Sequence, residues 1–377
     1  MTATTRLLNS VSEPTLYVAF ELGKKEWKLA MTSGVGVDPW LRTVPAGDLR
    51  AVEQAIAQGR TRFGVPAPTK VVSCYEAGRD GFWIHRALPA MGVANRVVDS
   101  SSIEVNRRAR RAKSDRIDAR KLVRMLVRVC QGEADVWREV RVPTVADEAA
   151  RQVSRERTDL REEQTALINQ MRSWLALWGC ALPGRRRRGE WWTGLRDKAG
   201  VALPAQVQAR LARADARWAV LATQVATLDA QQTAARKAAP AESALSRLVQ
   251  LKGIATTSAS VLVDEGLVWR EFRNRRQIGG VLGFAPMPYD SGETHRDQGI
   301  SHAGNRRLQA ISMELAWNWV RWQPSSPLTE WYRTGFAQRS KRLRRIGIVA
   351  VARRLMIALW RYVTTGVVPA GAILKVQ

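Results

Sequence analysis

Apolar and polar positions alternate in short runs along the first third of the chain. The stretches 16–22 (Leu-Tyr-Val-Ala-Phe-Glu-Leu), 27–31, 71–75 and 93–98 are rich in β-branched and aromatic side chains and bounded by Gly, Pro or Asn, which predicts β-strands. Between and after them, 48–58 and 81–90 read as helices. Residues 113–130 read as a longer amphipathic helix with Ile117, Leu122, Met125 and Leu126 on its apolar face. Strands alternating with helices predict an α/β layered domain over residues 1–140.

The texture changes over residues 141–240, where strand signals nearly vanish. Ala146, Val153, Leu160, Leu167 and Trp174 recur every seven residues, and after a Pro/Gly/Arg-rich break Leu211, Ala214, Trp218, Leu221, Val225 and Leu228 repeat at three-four spacing. Two long helices folded back on each other, or paired with another subunit, would bury these stripes. The reading favours the second, a homo-oligomer (dimer or tetramer) joined by this coiled-coil region. Residues 241–377 form a third, mostly helical region. It opens with Leu245, Leu248 and Leu251, a Lys252-Gly253-Ile254 turn, then Ala259 and Leu262, a helix-hairpin-helix-like pattern whose backbone N–H groups can face a phosphate. The stretch 279–305, punctuated by Gly and Pro, reads as loop, and helices resume over 306–322 and 342–363.

The chain has 377 residues, of which 45% are hydrophobic and 25% charged, ordinary values for a folded protein. The charge is lopsided: 60 Lys+Arg against 34 Asp+Glu leave a net +26. Such an excess points to a polyanion, and nucleic acid fits best because its dense phosphates release counterions on binding. Three widely spaced cysteines, Cys74, Cys130 and Cys180, argue against a disulfide framework or a thiolate zinc site. The apolar run 346–363 is interrupted by Arg353, Arg354 and Arg361, and no signal-peptide core precedes the first strand. The expectation is a cytoplasmic protein with no membrane partner.

Carboxylates are scarce in so basic a chain, so acids at strand ends or on one helix face need a reason. Glu21 ends the first strand, Glu76 ends a later one, and Asp115 and Asp118 lie three apart at a helix start. Converging acids repel unless cations neutralise them. Oxygen-only ligands suit Mg²⁺ or Mn²⁺, and two such ions stabilise the attacking and leaving oxygens of phosphoryl transfer. The plainer alternative is that Asp115 and Asp118 complement a helix dipole and pair with Arg111, Arg116 or Lys121. Arg107, Arg108, Arg110, Arg111 and Lys113 lie just before the acidic pair, where they could deliver a phosphate backbone.

The run 108–122 (Arg-Ala-Arg-Arg-Ala-Lys-Ser-Asp-Arg-Ile-Asp-Ala-Arg-Lys-Leu), Cys74-Tyr-Glu-Ala-Gly78, the block 282–292 (Leu-Gly-Phe-Ala-Pro-Met-Pro-Tyr-Asp-Ser-Gly) and 299–308 (Gly-Ile-Ser-His-Ala-Gly-Asn-Arg-Arg-Leu) together resemble the DEDD transposases of the IS one-ten family. The resemblance spans nearly the whole chain, with its motifs in the family's order. It implies a RuvC-like N-terminal domain of RNase H fold whose four acids bind divalent metal, with Glu76, Asp115 and Asp118 matching the second, third and fourth. Glu21 takes the first position, where most members carry Asp; the following Gly23-Lys24-Lys25-Glu26-Trp27 keeps the pattern, which favours a working ligand. It also implies a catalytic serine, Ser291, in the C-terminal transposase domain. That serine would attack a phosphodiester and keep the bond energy in a phosphoserine link, in active sites composed between protomers. Some members use a bridge RNA, so the implied partners are target and donor DNA and a structured noncoding guide RNA.

Ser301 is the competing serine, read here as a helix cap, with Asn305, Arg306 and Arg307 near the phosphate. Arg185, Arg186, Arg187, Arg188, Lys252, Arg339, Lys341, Arg342, Arg344 and Arg345 are further candidate phosphate contacts. His85 reads as a hydrogen-bonded structural histidine. Most of the 15 tryptophans are expected in the core, although Trp191, Trp192, Trp317, Trp319 and Trp322 lie among basic residues where aromatic faces can stack on bases. Two other functions stay open: a RuvC-like nuclease that uses water, and a non-enzymatic nucleic-acid-binding protein.

Overall fold

The structure is a computed structural model that describes residues 14–103, 115–184, 189–291, 294–301 and 304–375. The chain divides into two compact units, Met1–Val142 and Pro143–Gln377.

The first unit is α/β. Its elements are β1 (Thr15–Leu22), β2 (Glu26–Thr32), β3 (Trp40–Pro45), α1 (Leu49–Phe63), β4 (Lys70–Glu76), α2 (Trp83–Ala87), a 3₁₀ turn (Leu88–Met91), β5 (Val93–Val98) and α3 (Asp115–Cys130). The five strands form one sheet in the order β3-β2-β1-β4-β5. Strand β2 runs antiparallel to both of its neighbours, while β1, β4 and β5 run parallel. Successive side chains leave opposite faces of a strand. Leu16, Val18, Phe20, Val71 and Tyr75 therefore enter one core with Val52, Ala55 and Ile56 of α1. Ala19, Val72 and Cys74 enter the other, covered by Ala119, Leu122, Val123 and Leu126 of α3. Burial on both faces is why these parallel strands read as nearly continuous apolar runs.

The first hairpin depends on Gly23. Its N–H donates to the Glu26 carbonyl at 3.1 Å, and a Cβ on Gly23 would stand 2.4 Å from that oxygen, so no larger residue fits the turn that follows Glu21.

The second unit begins with α4 (Val145–Ala176) and α5 (Ala205–Ala238), two helices of 32 and 34 residues. Thr144 opens α4 with a capping box: its hydroxyl accepts from the Asp147 N–H, and the Asp147 carboxylate accepts from the Thr144 N–H. The helices pair antiparallel within the chain. Arg157 meets Asp229 and Ser154 meets Gln232 near one end, while Met171 and Leu175 pack with Leu211 and Ala214 near the other. The α5 stripe of Leu211, Ala214, Leu221, Val225 and Leu228 is buried as its spacing predicts. The α4 stripe differs from the heptad reading, because its buried positions are Arg151, Ser154, Gln164, Leu167, Met171 and Leu175, half of them polar. The two helices pair with each other inside one chain.

The remaining elements surround a single helical core. They are α6 (Ala244–Gln250), α7 (Thr256–Leu262) continuing as a π-helical turn (Val263–Leu267), α8 (Arg275–Val281), β6 (Pro286–Ser291), β7 (Thr294–Ile300), α9 (Arg306–Trp322), α10 (Pro327–Tyr332), a second π-helical turn (Arg333–Ala337) and α11 (Lys341–Thr365). Leu251, Leu262, Leu315, Trp319, Val351, Leu355 and Leu359 meet in that core. Two expectations are corrected here. The stretch read as loop over 279–305 contains the end of α8 and an antiparallel β6–β7 hairpin, hidden from pattern reading by Pro286, Pro288 and a register shift between them. Asn305, not Ser301, caps α9: its carboxamide oxygen accepts from the Arg307 and Leu308 N–H groups, whereas the Ser301 N–H donates to the Ala285 carbonyl.

Among the described residues, no helix is long and apolar enough to cross a membrane. The three cysteines are free thiols.

Candidate functional site

Strands β1 and β4 are parallel neighbours, with Phe20 opposite Tyr75. Glu21 and Glu76 are the next residues on each strand. Both follow by two positions a residue of the α3-side core, Ala19 and Cys74, so the two carboxylates share that face at the carboxyl ends of adjacent strands. Helix α3 covers the same face and runs against these strands. Its Arg124 donates to Asp38, in the β2–β3 connection at the opposite edge, at 3.2 Å, and its last residue Cys130 packs in one core with Tyr17 at the start of β1. The first turn of α3, which carries Asp115 and Asp118, therefore stands at the edge where Glu21 and Glu76 lie. An open sheet leaves its crevice at the carboxyl ends of its strands.

Glu21, Glu76 and Asp118 are each half-buried, and Lys28 on β2 stands opposite Glu21 in register. Lys28 also lies 3.7 Å from Glu26. The positive N-terminal end of the α3 dipole favours carboxylates here even before any cation arrives. The Asp115 side chain lies outside the described residues. Among those described, no three His, Cys, Asp or Glu residues stand grouped as a metal site.

His85 sits apart from these acids. Its Nδ1 lies 3.0 Å from Asn95 Nδ2, and Asn95 in turn accepts from the Ser73 hydroxyl at 2.8 Å, which leaves Nδ1 as acceptor. Burial, then the charge of Arg86, holds its pKa below the ordinary imidazole value.

In the second unit Ser291 is the last residue of β6, paired with Thr294 across the hairpin; its side chain, like those of His295 and His302, lies outside the described residues. The base of the hairpin is tied to the helical core through Gly304, where an added Cβ would stand 2.5 Å from both the Gly283 nitrogen and the Val281 oxygen. The Asn305 N–H donates to the same Val281 carbonyl at 2.8 Å.

Sequence reasoning missed a buried polar cluster below this hairpin. Glu265, 1% exposed in the π-helical turn, accepts from Arg155 at 2.7 and 2.9 Å and from the Asn305 amide at 2.9 Å. Burial pushes the Glu265 carboxyl up, but the bonds from Arg155 and Asn305 and the charges of Arg155 and Arg151 outweigh it and hold the group below the ordinary range. Its neighbour Asp264 goes the other way. Burial, reinforced by the charge of Glu265 and only partly opposed by the Ser154 hydroxyl, raises it to about 6. The signal was present as two acids inside the apolar run 258–269, a pattern that burial tolerates only with partners.

The basic candidates divide. Arg107, Arg108, Arg110, Arg111, Lys113, Arg185, Arg186, Arg187 and Arg188 lie outside the described residues. Asn305 is committed to its cap and to Glu265, and Arg307 donates to Asp159 at 2.8 Å, so both spend their polar groups inside the protein. Arg306 is exposed. The Lys252 turn forms as expected between α6 and α7, with two of its N–H groups occupied: Lys252 donates to the Ile373 carbonyl and Ile254 to that of Leu251. Lys341, Arg342, Arg344 and Arg345 are all exposed at the start of α11. Four cations at a helix N-terminus oppose the dipole, a local cost that an anionic partner would offset.

A model of the transposase IS116/IS110/IS902 family matches residues 245–329, the stretch that holds Asp264 and Glu265, the β6–β7 hairpin and α9. A protein of Sinorhizobium fredii (strain NBRC 101917 / NGR234) named "Putative transposase y4rJ" is 38% identical over 96% of this chain and 94% of its own length. The chain belongs to the IS110 family of transposases. A second protein of that organism, "Putative transposase y4qE", is 27% identical over 84% of this chain and 78% of its own. Family membership carries an activity that moves DNA, so DNA is the partner that the net charge of +26 serves.

Proposed function

We propose that this transposase excises and inserts an insertion sequence by strand exchange through serine–phosphate intermediates. Its metal site would be built from Glu21, Glu76, Asp115 and Asp118, and its nucleophile would be Ser291. The observation that carries the reading is the register of β1 and β4: it sets two carboxylates side by side at the strand ends toward which the first turn of α3 points. The sheet order β3-β2-β1-β4-β5 with β2 alone reversed supports reading the first unit as RuvC-like.

Carboxylate oxygens are hard donors, and a set made only of them fits Mg²⁺ or Mn²⁺ rather than a softer metal. Two such ions, when bound, supply positive charge to the phosphate oxygens. The chain's own residues do the rest. The Ser291 hydroxyl oxygen forms a bond to phosphorus as the bond from phosphorus to the sugar oxygen breaks, and the hydroxyl proton ends on that sugar oxygen. The ester so formed keeps the energy of the phosphodiester, and attack by another strand's sugar hydroxyl regenerates serine without a nucleotide cofactor. Glu21 reaches one methylene further than an Asp; the Gly23 turn, which admits no Cβ, fixes where that reach begins. The acids and Ser291 belong to different units, and composite sites between protomers of a dimer or tetramer are part of the proposal. So is a structured noncoding RNA that selects target and donor DNA, with the exposed cations of α11 as contacts.

The test uses a DNA carrying both element ends. Wild-type protein with Mg²⁺ should give a covalent protein–DNA adduct on a denaturing gel and strand-exchanged product. Ser291→Ala should abolish both. Cleavage that persists in Ser291→Ala marks a water-using nuclease instead, and activity unchanged by Asp118→Asn removes the metal site from the reaction. RNA that copurifies with the protein and pairs with the element's junctions tests the guide.

A further inference from the structure

Of the exposed tryptophans described, Trp83, Trp178, Trp317 and Trp322, only Trp322 has cations over its ring. It is the last residue of α9 and is 42% exposed. The Arg321 guanidinium lies 5.0 Å and the Lys252 ammonium 5.8 Å from the ring centroid. The other described rings with cations over them, Trp40, Trp174, Trp269 and Trp331, are buried or half-buried. Arg321 and Lys252 thus attend a ring that keeps 42% of its surface exposed.

The ground under this indole is rigid. Gly253, at φ +91°, brings the α6–α7 turn against it, and an added Cβ there would stand 3.2 Å from the Trp322 Cβ. The next residue, Gln323, is fully buried; its amide donates to the carbonyls of Lys252 and Ile373 at 2.7 and 3.0 Å, and its oxygen accepts from the Ile373 N–H at 2.6 Å. Lys375 adds bonds from its ammonium to the Val249 and Ile254 carbonyls, both at 2.7 Å. Three chain segments are thus stitched together next to an indole that stays 42% exposed. An exposed aromatic surface on a fixed base costs little entropy to use, and cations beside an aromatic face are what a flat base with flanking phosphates meets in single-strand binding proteins.

We propose that Trp322, with Lys252 and Arg321, is a stacking platform for an unpaired nucleobase, the two cations engaging the phosphates on either side of it. The proposal rests on the nucleic-acid reading above for the class of ligand, but not on the serine chemistry or the metal. Paired bases are stacked on each other and hide their faces, so the platform selects single-stranded over duplex segments. RNA and DNA strands offer the same base faces, and the experiment separates them.

The full chain, without divalent metal, is titrated by fluorescence anisotropy against labelled oligo-dT, oligo-U and a DNA duplex. Trp322→Leu should weaken binding of at least one single strand about 5- to 100-fold, while duplex affinity stays within about twofold and Trp322→Phe keeps most of the affinity. Loss confined to oligo-U assigns the platform to RNA, and loss confined to oligo-dT to unpaired DNA. Lys252→Gln should reduce the salt dependence of single-strand binding by one phosphate's worth, which Trp322→Leu should leave alone. Single-strand binding unchanged by Trp322→Leu, or lost in proportion with duplex binding, overturns the proposal. Should Trp322→Leu misfold, photocrosslinking of iodouracil-substituted oligomers to the wild-type chain replaces it: an adduct on the peptide holding Trp322 supports the platform, and adducts only elsewhere overturn it. Because none of these readouts needs strand cleavage, failure of the serine mechanism leaves them intact, and their failure leaves that mechanism intact.

Discussion

Two acidic pairs in this chain look alike on paper and differ in place. Glu21 and Glu76 close adjacent strands of the first unit, half-buried at a sheet edge with another acid-bearing turn directed at them. Asp264 and Glu265 lie in the second unit inside a helical core, where Arg155, Asn305 and Ser154 take up their oxygens. The first pair gathers two carboxylates at the carboxyl end of the sheet, with Lys28 in register opposite Glu21. In the second, Glu265 has its countercharge built in through Arg155, while Asp264 is held by the Ser154 hydroxyl. An acid locked into a buried ion pair holds structure together, whereas half-buried acids gathered at the carboxyl end of a sheet are the ones the proposal above assigns to an external cation.

Six substitutions sharpen or break that contrast. Glu76→Gln or Asp118→Asn should cut strand exchange by roughly a thousandfold or more, the scale on which removing transition-state charge stabilisation acts, while leaving the melting temperature within about 2 °C. A large loss of stability instead would class these acids with the buried pair. Glu265→Ala should do the reverse. Breaking a buried ion pair costs about 3 kcal/mol, which in a unit of this size lowers the melting temperature by roughly 6–12 °C in calorimetry. Strand exchange per folded molecule should hold. Gly23→Ala forces a carbon onto the Glu26 carbonyl and should cost about 2 kcal/mol by denaturant titration, with strand exchange falling further as Glu21 shifts.

Asp264→Asn should stabilise. The folded carboxyl titrates near 6, above the ordinary 3.8, so the stability associated with its protonated form is complete below about pH 4 and lost as pH rises through 6. The variant should therefore gain about 1 kcal/mol over wild type at pH 7.5, discounted for partial solvent access, and nothing at pH 4. A gain that does not depend on pH would place the effect in packing. Arg345→Gln, the smallest change, should reduce the salt dependence of DNA binding by about one phosphate contact and leave stability untouched.

Much of this was legible in the chain. Strands β1, β2, β4 and β5 and helices α3, α9 and α11 fall close to where periodicity sets them, because each buries a continuous apolar face. Strand β3 escaped because it is an edge strand: of Trp40–Pro45 only Val44 is buried, so no alternation marks it. Hairpin β6–β7 escaped because its prolines break the signature of the ladder they join. Glu21 and Glu76 could be picked out as strand-ending acids, but their adjacency could not, since which strands pair is settled by the whole sheet. The Glu265 cluster showed only as two acids in an apolar run; its partners could not be read for the same reason, Arg155 lying 110 residues away.

The long antiparallel arm of α4 and α5 carries one more lesson. Two helices that met only through leucines could slide past each other by a heptad and find new leucines waiting. Here one end is keyed by unlike teeth, Arg157 against Asp229 and Ser154 against Gln232, and any slip would strand those groups without partners. The greasy end is thereby freed to drift in evolution, swapping one aliphatic residue for another, while the polar end alone remembers the alignment.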